Sequence, residues 1–297
     1  MNFIEEKIKS EFNSLDYSLK GIVLILSAEF LFALASVFAK VITTTSNIPA
    51  IEITFFRFAI GVILSGYYLY KSRQSFRPSK PLFVLLRAIL NTAAFILFFY
   101  SVEYTTITNA NMLNMTYPIF IFLISIAFFR KIPSVLSILL LIASTYGIYL
   151  VIKPDFDHIN HGDILGLLSG LVGAFAIISL RYARKFDSSL LILFYLMSIG
   201  FVINLVIMIP MFKMPQGIQW LYLFLSGLAG FLGQWLLTDG YKYISARYGS
   251  MMSSSRVVYA SILGLLIFNE SLSKRIVIGA LLIIISIIGI SHMVKDN

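Results

Sequence analysis

Four charged side chains interrupt long apolar stretches of this sequence. Glu29 lies near the centre of LILSAEFLFALASVFAK, residues 24–40, and Arg57, Arg87 and Arg256 interrupt three other apolar runs. A charge at the centre of a membrane helix costs about 2.5–3.5 kcal/mol on insertion scales, so such groups usually face a partner or a hydrated cavity. Two interpretations are open for Glu29. It forms a structural ion pair with Arg256, or it binds substrate or a proton in a polar pathway.

Uncharged polar residues surround two of these positions. In NANMLNMTYP, residues 109–118, Pro118 leaves the carbonyl four residues earlier without its helical hydrogen bond. Unwound polar backbone at mid-depth is typical of a transporter site. The alternative is an ordinary proline kink in which the asparagine amides bond neighbouring helices. The serine cluster SMMSSSR, residues 250–256, suits either a site or helix packing. The candidate substrate or proton pathway comprises Glu29, Arg57, Asn91, Asn111, Asn114, Tyr117, Gln234, Ser254 and Arg256.

Two of the arginines also have simpler interpretations. Arg57 lies about two turns from the start of its apolar run, and Glu52 is near enough along the chain to pair with it. Arg87 lies about one turn from the start of the apolar run 82–103, so its long side chain could extend to water or lipid phosphate at that membrane surface. We therefore expect Arg57 to join the pathway and Arg87 to extend toward the membrane surface.

The elements that must position these residues are membrane-spanning helices. Hydrophobic residues make up 59% of the 297 residues and charged residues 12%, compared with about 25% charged in soluble domains. The apolar runs are long enough to cross a bilayer core of roughly 30 Å as helices, which satisfy their own backbone hydrogen bonds. The predicted spans are 19–41, 50–70, 82–103, 107–129, 134–152, 164–184, 188–211, 219–241, 246–268 and 274–294.

The basic residues predict the orientation of these spans. Placing the amino terminus in the cytoplasm puts most of the 23 lysines and arginines in internal segments, as the positive-inside rule requires. Both termini are then cytoplasmic, in the inner (cytoplasmic) membrane. The net charge of +9 reflects this bias, and it does not indicate nucleic-acid binding. The first 18 residues are predicted to form a cytoplasmic tail that is either an interfacial helix or solvated.

The second half of the chain repeats the first. A shift of 139 positions aligns Gly61 with Gly200, Tyr104 with Tyr243, and Tyr117 with Arg256. Because each unit holds an odd number of spans, the second unit must enter the membrane inverted, as in many secondary transporters. The fold class is therefore all-α, with ten transmembrane helices in two inverted five-helix repeats around a central cavity. The predicted division is a tail 1–18, repeats 19–153 and 164–294, an external linker 154–163, and a tail 295–297.

Several segments resemble one transporter family. They are YSVEYTTITNANMLNMTYPIFIFLISIAFFRKIPS from residue 100, YGIYLVIKP from residue 146 and GDILGLLSGLVGAFAIISLRYARKF from residue 162, with FFRF at 55–58, Lys40 and FNESLS from residue 268. Together they resemble the EamA-type permeases of the drug/metabolite transporter superfamily. The resemblance implies a basket of ten helices that carries small metabolites, often amino acids, without ATP hydrolysis. Smaller relatives in that superfamily use a first-span glutamate to exchange protons and substrate, which Glu29 matches in type and depth.

The remaining residues favour transport over catalysis. The chain has no cysteine and three histidines, and no nucleophile, base and acid converge at one depth, so no catalytic residues, metal site or cofactor are expected. We predict a permease for a small polar metabolite, with export of amino acids or related compounds favoured. Uptake of a nucleoside-like cofactor such as S-adenosylmethionine is the alternative, and a non-transporting sensor or scaffold is the alternative of another class. The expected partners are the substrate, the lipid bilayer and a coupling proton or other ion, in a monomer or homodimer.

Overall fold

The fold consists of helices, most of which each form one membrane span. The computed structural model describes residues 2–130, 132–156, 159–269 and 273–295. Their helices are α1 Asn2–Thr45, α2 Ala50–Lys71, α3 Pro81–Tyr104, α4 Ile107–Asn114, α5 Tyr117–Phe129, α6 Val135–Ile152, α7 His161–Ala183, α8 Ser189–Met208, α9 Gln219–Gly240, α10 Ala246–Met252, α11 Ser255–Phe268 and α12 Lys274–Lys295.

Within the described residues, ten segments are long and apolar enough to cross a membrane. Their bounds agree with the predicted spans to within a few residues, and helices α4 with α5, and α10 with α11, each make up one span. Helix α1 starts at Asn2, so the first span and the residues before it form one helix. Residues 296–297 of the predicted tail 295–297 and residues 157–158 of the predicted linker 154–163 fall outside the described residues.

The packing of the helices repeats when the two halves are exchanged. Helix α1 packs against α9, and its counterpart α7 packs against α3. Helix α2 packs against α8 and α9, while α8 packs against α2 and α3. The last spans of the two halves, α6 and α12, pack against each other. This reciprocity is the arrangement expected of two inverted five-helix repeats, as the sequence predicted.

Two glycines show the same reciprocal packing of the two repeats in their contacts with side chains. Gly61 of α2 and Gly200 of α8 are aligned by the repeat. A Cβ atom on Gly61 would meet the Met197 Sδ at 2.5 Å, and a Cβ atom on Gly200 would overlap the ring of Phe58. Phe58 and Met197 are themselves 139 positions apart, and both are buried. Each bulky side chain fills the space beside the opposite glycine, which lets α2 and α8 approach closely.

The fourth and ninth spans break at corresponding positions, between α4 and α5 and between α10 and α11. Pro118 explains the first break, as predicted, because it removes a backbone donor near the start of α5. The second break contains no proline. In both breaks a hydroxyl shares a carbonyl with the backbone N–H of its own residue. Thr116 Oγ1 donates to the Leu113 carbonyl at 2.5 Å, and Ser254 Oγ donates to the Met251 carbonyl at 2.6 Å. The backbone nitrogens of Thr116 and Ser254 donate to the same two carbonyls at 3.2 Å. Bonds of this kind bend helices.

Candidate functional site

A cavity of about 300 Å³ lies between the two repeats. Eight of the nine candidate residues line it, namely Glu29, Arg57, Asn91, Asn111, Asn114, Tyr117, Gln234 and Arg256. Ser254 does not, because its hydroxyl turns back to the Met251 carbonyl, and its neighbour Ser253 lines the cavity instead. The two broken spans therefore bring their polar residues to the same space.

Glu29 and Arg256 form an ion pair in the cavity wall. Arg256 Nε donates to Glu29 Oε2 at 2.6 Å. The Glu29 side chain has 0% of its surface exposed, whereas 32% of the Arg256 side chain is exposed. The second carboxylate oxygen, Glu29 Oε1, is buried and has no hydrogen-bond donor among the described residues. One oxygen of the carboxylate is therefore hydrogen-bonded to Arg256, and the other has no partner among the described residues.

Phe32 of α1 lies beside two of the arginines. The guanidinium carbon Cζ of Arg256 is 4.5 Å from the centre of the Phe32 ring, and that of Arg57 is 5.1 Å from it. Contacts of this kind stabilise a cation by about 0.5–2 kcal/mol. Gly230 of α9 makes room for Arg57, because a Cβ atom there would lie 2.8 Å from Arg57 Cδ. The aromatic ring and the glycine together direct the two guanidinium groups to the cavity.

The pairing of Glu52 with Arg57 that the sequence allows is not found among the described residues. Glu52 Oε2 instead accepts a hydrogen bond from the backbone nitrogen of Lys213 at 3.0 Å, in the segment after α8. Arg57 Nε is consequently buried without a hydrogen-bond acceptor among the described residues. Glu52 therefore binds the segment after α8, and the positive charge of Arg57 is not neutralised by Glu52.

The expectation that Arg87 extends to the membrane surface is wrong. Only 1% of its surface is exposed, and it lines the cavity with a buried Nε that has no acceptor in the described part of the chain. Arg87, Asn91, Ala94 and Phe98 follow one face of α3, and all four line the cavity. The spacing of Arg87 four residues before Asn91 is the sequence signal that could have identified it.

Polar contacts link α7 and α9 at one end of the helix bundle, where both helices terminate. Arg184 Nη2 pairs with Asp239 Oδ1 at 2.8 Å, and Arg181 Nη1 donates to the Tyr241 carbonyl at 2.7 Å. Burial lowers the pKa of the Arg184 guanidinium from its ordinary value, while the Asp239 carboxylate opposes this change. These bonds link the second repeat's first and third spans.

The opposite end of the bundle contains a second cavity, of about 460 Å³. It shares Asn111 and Arg256 with the first cavity, and it reaches Lys40 near the end of α1 and Phe268 at the end of α11. Lys40 is exposed. The shared residues place the second cavity next to the first, toward the end of the bundle where Lys40 lies. Among the described residues, no group of three or more His, Cys, Asp or Glu side chains is placed to hold a metal ion.

Comparison with known families separates the chain into the same two halves. Residues 19–153 and residues 160–292 each match the EamA-like transporter family. The chain belongs to the EamA-like transporter family. The family resemblance seen in the sequence is thus confirmed, and this member is a transporter with a multi-pass membrane fold.

Characterised relatives in the EamA-like family carry different compounds. The chain is 26% identical to the pseudopaline exporter CntI of Pseudomonas aeruginosa strain UCBPP-PA14, over 95% of this chain and 99% of the exporter. It is 23% identical to the riboflavin transporter of Vibrio cholerae, over 93% and 94% of the two chains. It is 22% identical to the S-adenosylmethionine uptake transporter of Rickettsia felis, over 80% and 82%.

The fold is also found among solved structures. One crystal structure superposes with a TM-score of 0.75 at 14% sequence identity, covering 96% of this chain and 98% of the other. At this identity the likeness supports the fold alone.

Proposed function

We propose that this EamA-like protein moves a small polar metabolite across the cytoplasmic membrane by alternating access, with export of amino acids or related compounds as the first candidate. The observation that carries the proposal is the cavity between the inverted repeats, lined by Glu29, Arg256 and the other polar candidates. Secondary transporters bind substrate near the midplane at such a repeat interface. Rocking of one repeat against the other would expose this cavity to each side in turn.

The direction of opening follows from the predicted orientation. With the amino terminus in the cytoplasm, the end near Arg184 and Asp239 faces inward, and the end near Lys40, which the second cavity reaches, faces outward. We propose that this arrangement, with the second cavity at the outer end, represents an outward-open state. Export is supported by the likeness to the pseudopaline exporter, which extends over nearly the whole of both chains. We propose residues 19–153 and 164–294 as the moving repeats.

The charges of the cavity favour a zwitterion or an anion over a cation. A freely accessible acid would attract a cationic substrate, but the Glu29 carboxylate is buried against Arg256. Three guanidinium groups line the same cavity. The likeness to an S-adenosylmethionine uptake transporter supports uptake of such a cofactor as the second candidate, yet the positively charged sulfonium of that compound fits this cavity less well.

A panel of labelled compounds tests the proposal. Purified protein in liposomes should exchange at least one amino acid or related compound, whereas protein-free liposomes should exchange none. Exchange of S-adenosylmethionine alone would favour the second candidate. A sensor or scaffold would bind a compound without moving it, and that result would contradict the proposal.

A further inference from the structure

The titratable side chains of the cavity carry an excess of positive charge. Arg57, Arg87 and Arg256 line it, and Glu29 is the one acid among its described lining residues. Glu29 neutralises Arg256 through the 2.6 Å hydrogen bond. The guanidinium groups of Arg57 and Arg87 have no carboxylate partner among the described residues. Buried charges are usually paired, because desolvation of an unpaired ion is costly.

Hydrogen-bonding groups show the same imbalance. Arg57 Nε, Arg87 Nε and Gln234 Nε2 are buried donors without an acceptor among the described residues, and all three residues line the cavity. Glu29 Oε1 is the matching acceptor without a donor. A buried donor left unsatisfied costs about 1–3 kcal/mol. A ligand that relieves these costs must therefore bring several acceptor atoms, preferably charged ones, and one donor.

The two unpaired arginines lie on opposite sides of the central ion pair. Arg57 is seven residues from the start of α2 and Arg87 is six residues from the start of α3. Consecutive spans start at opposite faces of the membrane, so each arginine is about 10 Å from its own face at 1.5 Å per residue. Glu29 and Arg256 lie between these two levels. A single small anionic group could satisfy one arginine, but a ligand with an anionic group at each end could satisfy both.

We infer that the substrate of this transporter is a net-negative metabolite with two oxyanion groups, carboxylate or phosphate, bound by Arg57 and Arg87, and with an amine or hydroxyl that donates to Glu29 Oε1. This inference rests on the proposed transport function. Arginine is suited to the role because its planar fork matches a carboxylate or phosphate oxygen pair. Gln234 Nε2 adds a further donor for the same oxygens.

Matched pairs of labelled compounds isolate the effect of one oxyanion. We would measure exchange of glutamate against glutamine, aspartate against asparagine, and phosphoserine against serine in proteoliposomes, with lysine and S-adenosylmethionine as cations. The anionic member of at least one pair should exchange ten-fold or more faster, since a hydrogen bond to a charged group is worth about 1.5–3 kcal/mol. The first two pairs test carboxylate, and the third tests phosphate.

Five variants test which residues produce the preference for the anion. Arg57→Gln and Arg87→Gln should each reduce the preference for the anion by ten-fold or more, while the exposed Arg77→Gln should keep it. Arg57→Lys and Arg87→Lys keep the charge and should retain part of the preference. The thermal stabilisation of the unaltered protein by the same compounds is a second readout that does not depend on variant folding.

The outcomes separate the two proposals. Exchange of neutral or cationic members at least as fast as anionic ones would overturn the inference and leave the transport function in place. An unchanged preference in both glutamine variants would also overturn it. Exchange of none of the compounds would contradict the proposed function itself.

Discussion

Arg256 Nε lies 2.6 Å from Glu29 Oε2, although 227 positions separate the two residues in the chain. The contact joins the first span of one repeat to the broken ninth span of the other. Burial of the partners is unequal, since Glu29 is fully buried and Arg256 is about one third exposed. Removal of Glu29 and removal of Arg256 should therefore change the free energy of unfolding by different amounts.

Arg256→Gln should destabilise the protein more than Glu29→Gln does. Removal of Arg256 leaves a fully buried carboxylate without its cation, and breaking a buried pair in this way costs about 3–5 kcal/mol. Removal of the Glu29 charge leaves a guanidinium that still reaches the cavity, so we expect less than half that loss. Thermal or denaturant unfolding of the detergent-solubilised variants measures both values.

The double variant Glu29→Gln with Arg256→Gln provides the control for this comparison. It removes both charges and should recover much of the stability lost in Arg256→Gln. Equal losses in the two single variants, with no recovery in the double variant, would show that the pair contributes nothing to the fold.

Glu29→Gln should also flatten the pH dependence of transport. Glu29 is the one carboxylate among the described residues that line the cavity, and one of its oxygens has no partner. A coupling proton taken from the cavity would therefore bind there, and glutamine cannot accept it. Initial rates in proteoliposomes at a series of pH values measure the effect. An unchanged pH profile, in a variant that still transports, would remove Glu29 from coupling.

Gly173→Leu should block transport while leaving the fold intact. Gly173 of α7 lines the cavity, and a Cβ atom placed on it would meet no atom within 4 Å. The added side chain would therefore occupy space that the substrate needs. We expect at least a ten-fold lower exchange rate, with an unfolding temperature close to that of the unaltered protein.

Leu168→Phe is the matched control, because it adds bulk to an exposed position on the same helix. It should leave both the exchange rate and the unfolding temperature unchanged. If Gly173→Leu and Leu168→Phe transported equally well, substrate would not pass beside Gly173.

Gly200→Ala should destabilise the contact between α2 and α8. The added methyl group would overlap the buried ring of Phe58, and overpacking of this kind costs about 1–3 kcal/mol. A second substitution, Phe58→Leu, should recover part of the loss by removing the overlapping ring atoms. Unfolding in detergent measures both.

Gly66→Ala serves as the control in the same interface, because its Cβ atom would lie at an ordinary 3.4 Å from Phe194. Its unfolding free energy should stay close to that of the unaltered protein. A loss equal to that of Gly200→Ala would mean that the reciprocal glycine contacts do not set the spacing of these helices.

Single introduced cysteines test the predicted orientation, since the natural chain has none. Cysteines at the exposed positions Asn47 and Ile159 should react in intact cells with a membrane-impermeant maleimide. Cysteines at the exposed positions Ser75 and Lys185 should react only after the cells are permeabilised. The reverse labelling pattern would place both termini outside and invert the assignment of the open face.

The spans could be predicted from the sequence because their signal is local. A run of apolar residues has few alternatives to a transmembrane helix, whatever its neighbours are. Pro118 predicted the first helix break for a similarly local reason. The shift that aligns Gly61 with Gly200 predicted the inverted repeats, and the reciprocal contacts of Phe58 and Met197 follow from them. Most of the candidate cavity residues were also identifiable from the sequence, since a polar group at mid-depth usually faces a cavity or a polar partner.

Tertiary structure decided which way the side chains point and which residues they meet. Arg87 faces the cavity and Ser254 does not, because the rotation of each helix is set by packing against its neighbours. Gly230 leaves the space through which Arg57 passes, while Glu52 is occupied by the segment after α8. The partnership of Glu29 with Arg256 depends on contacts between the repeats, which no local pattern records. Depth in the membrane is thus encoded along the chain, whereas charge pairing is fixed only when the helices pack.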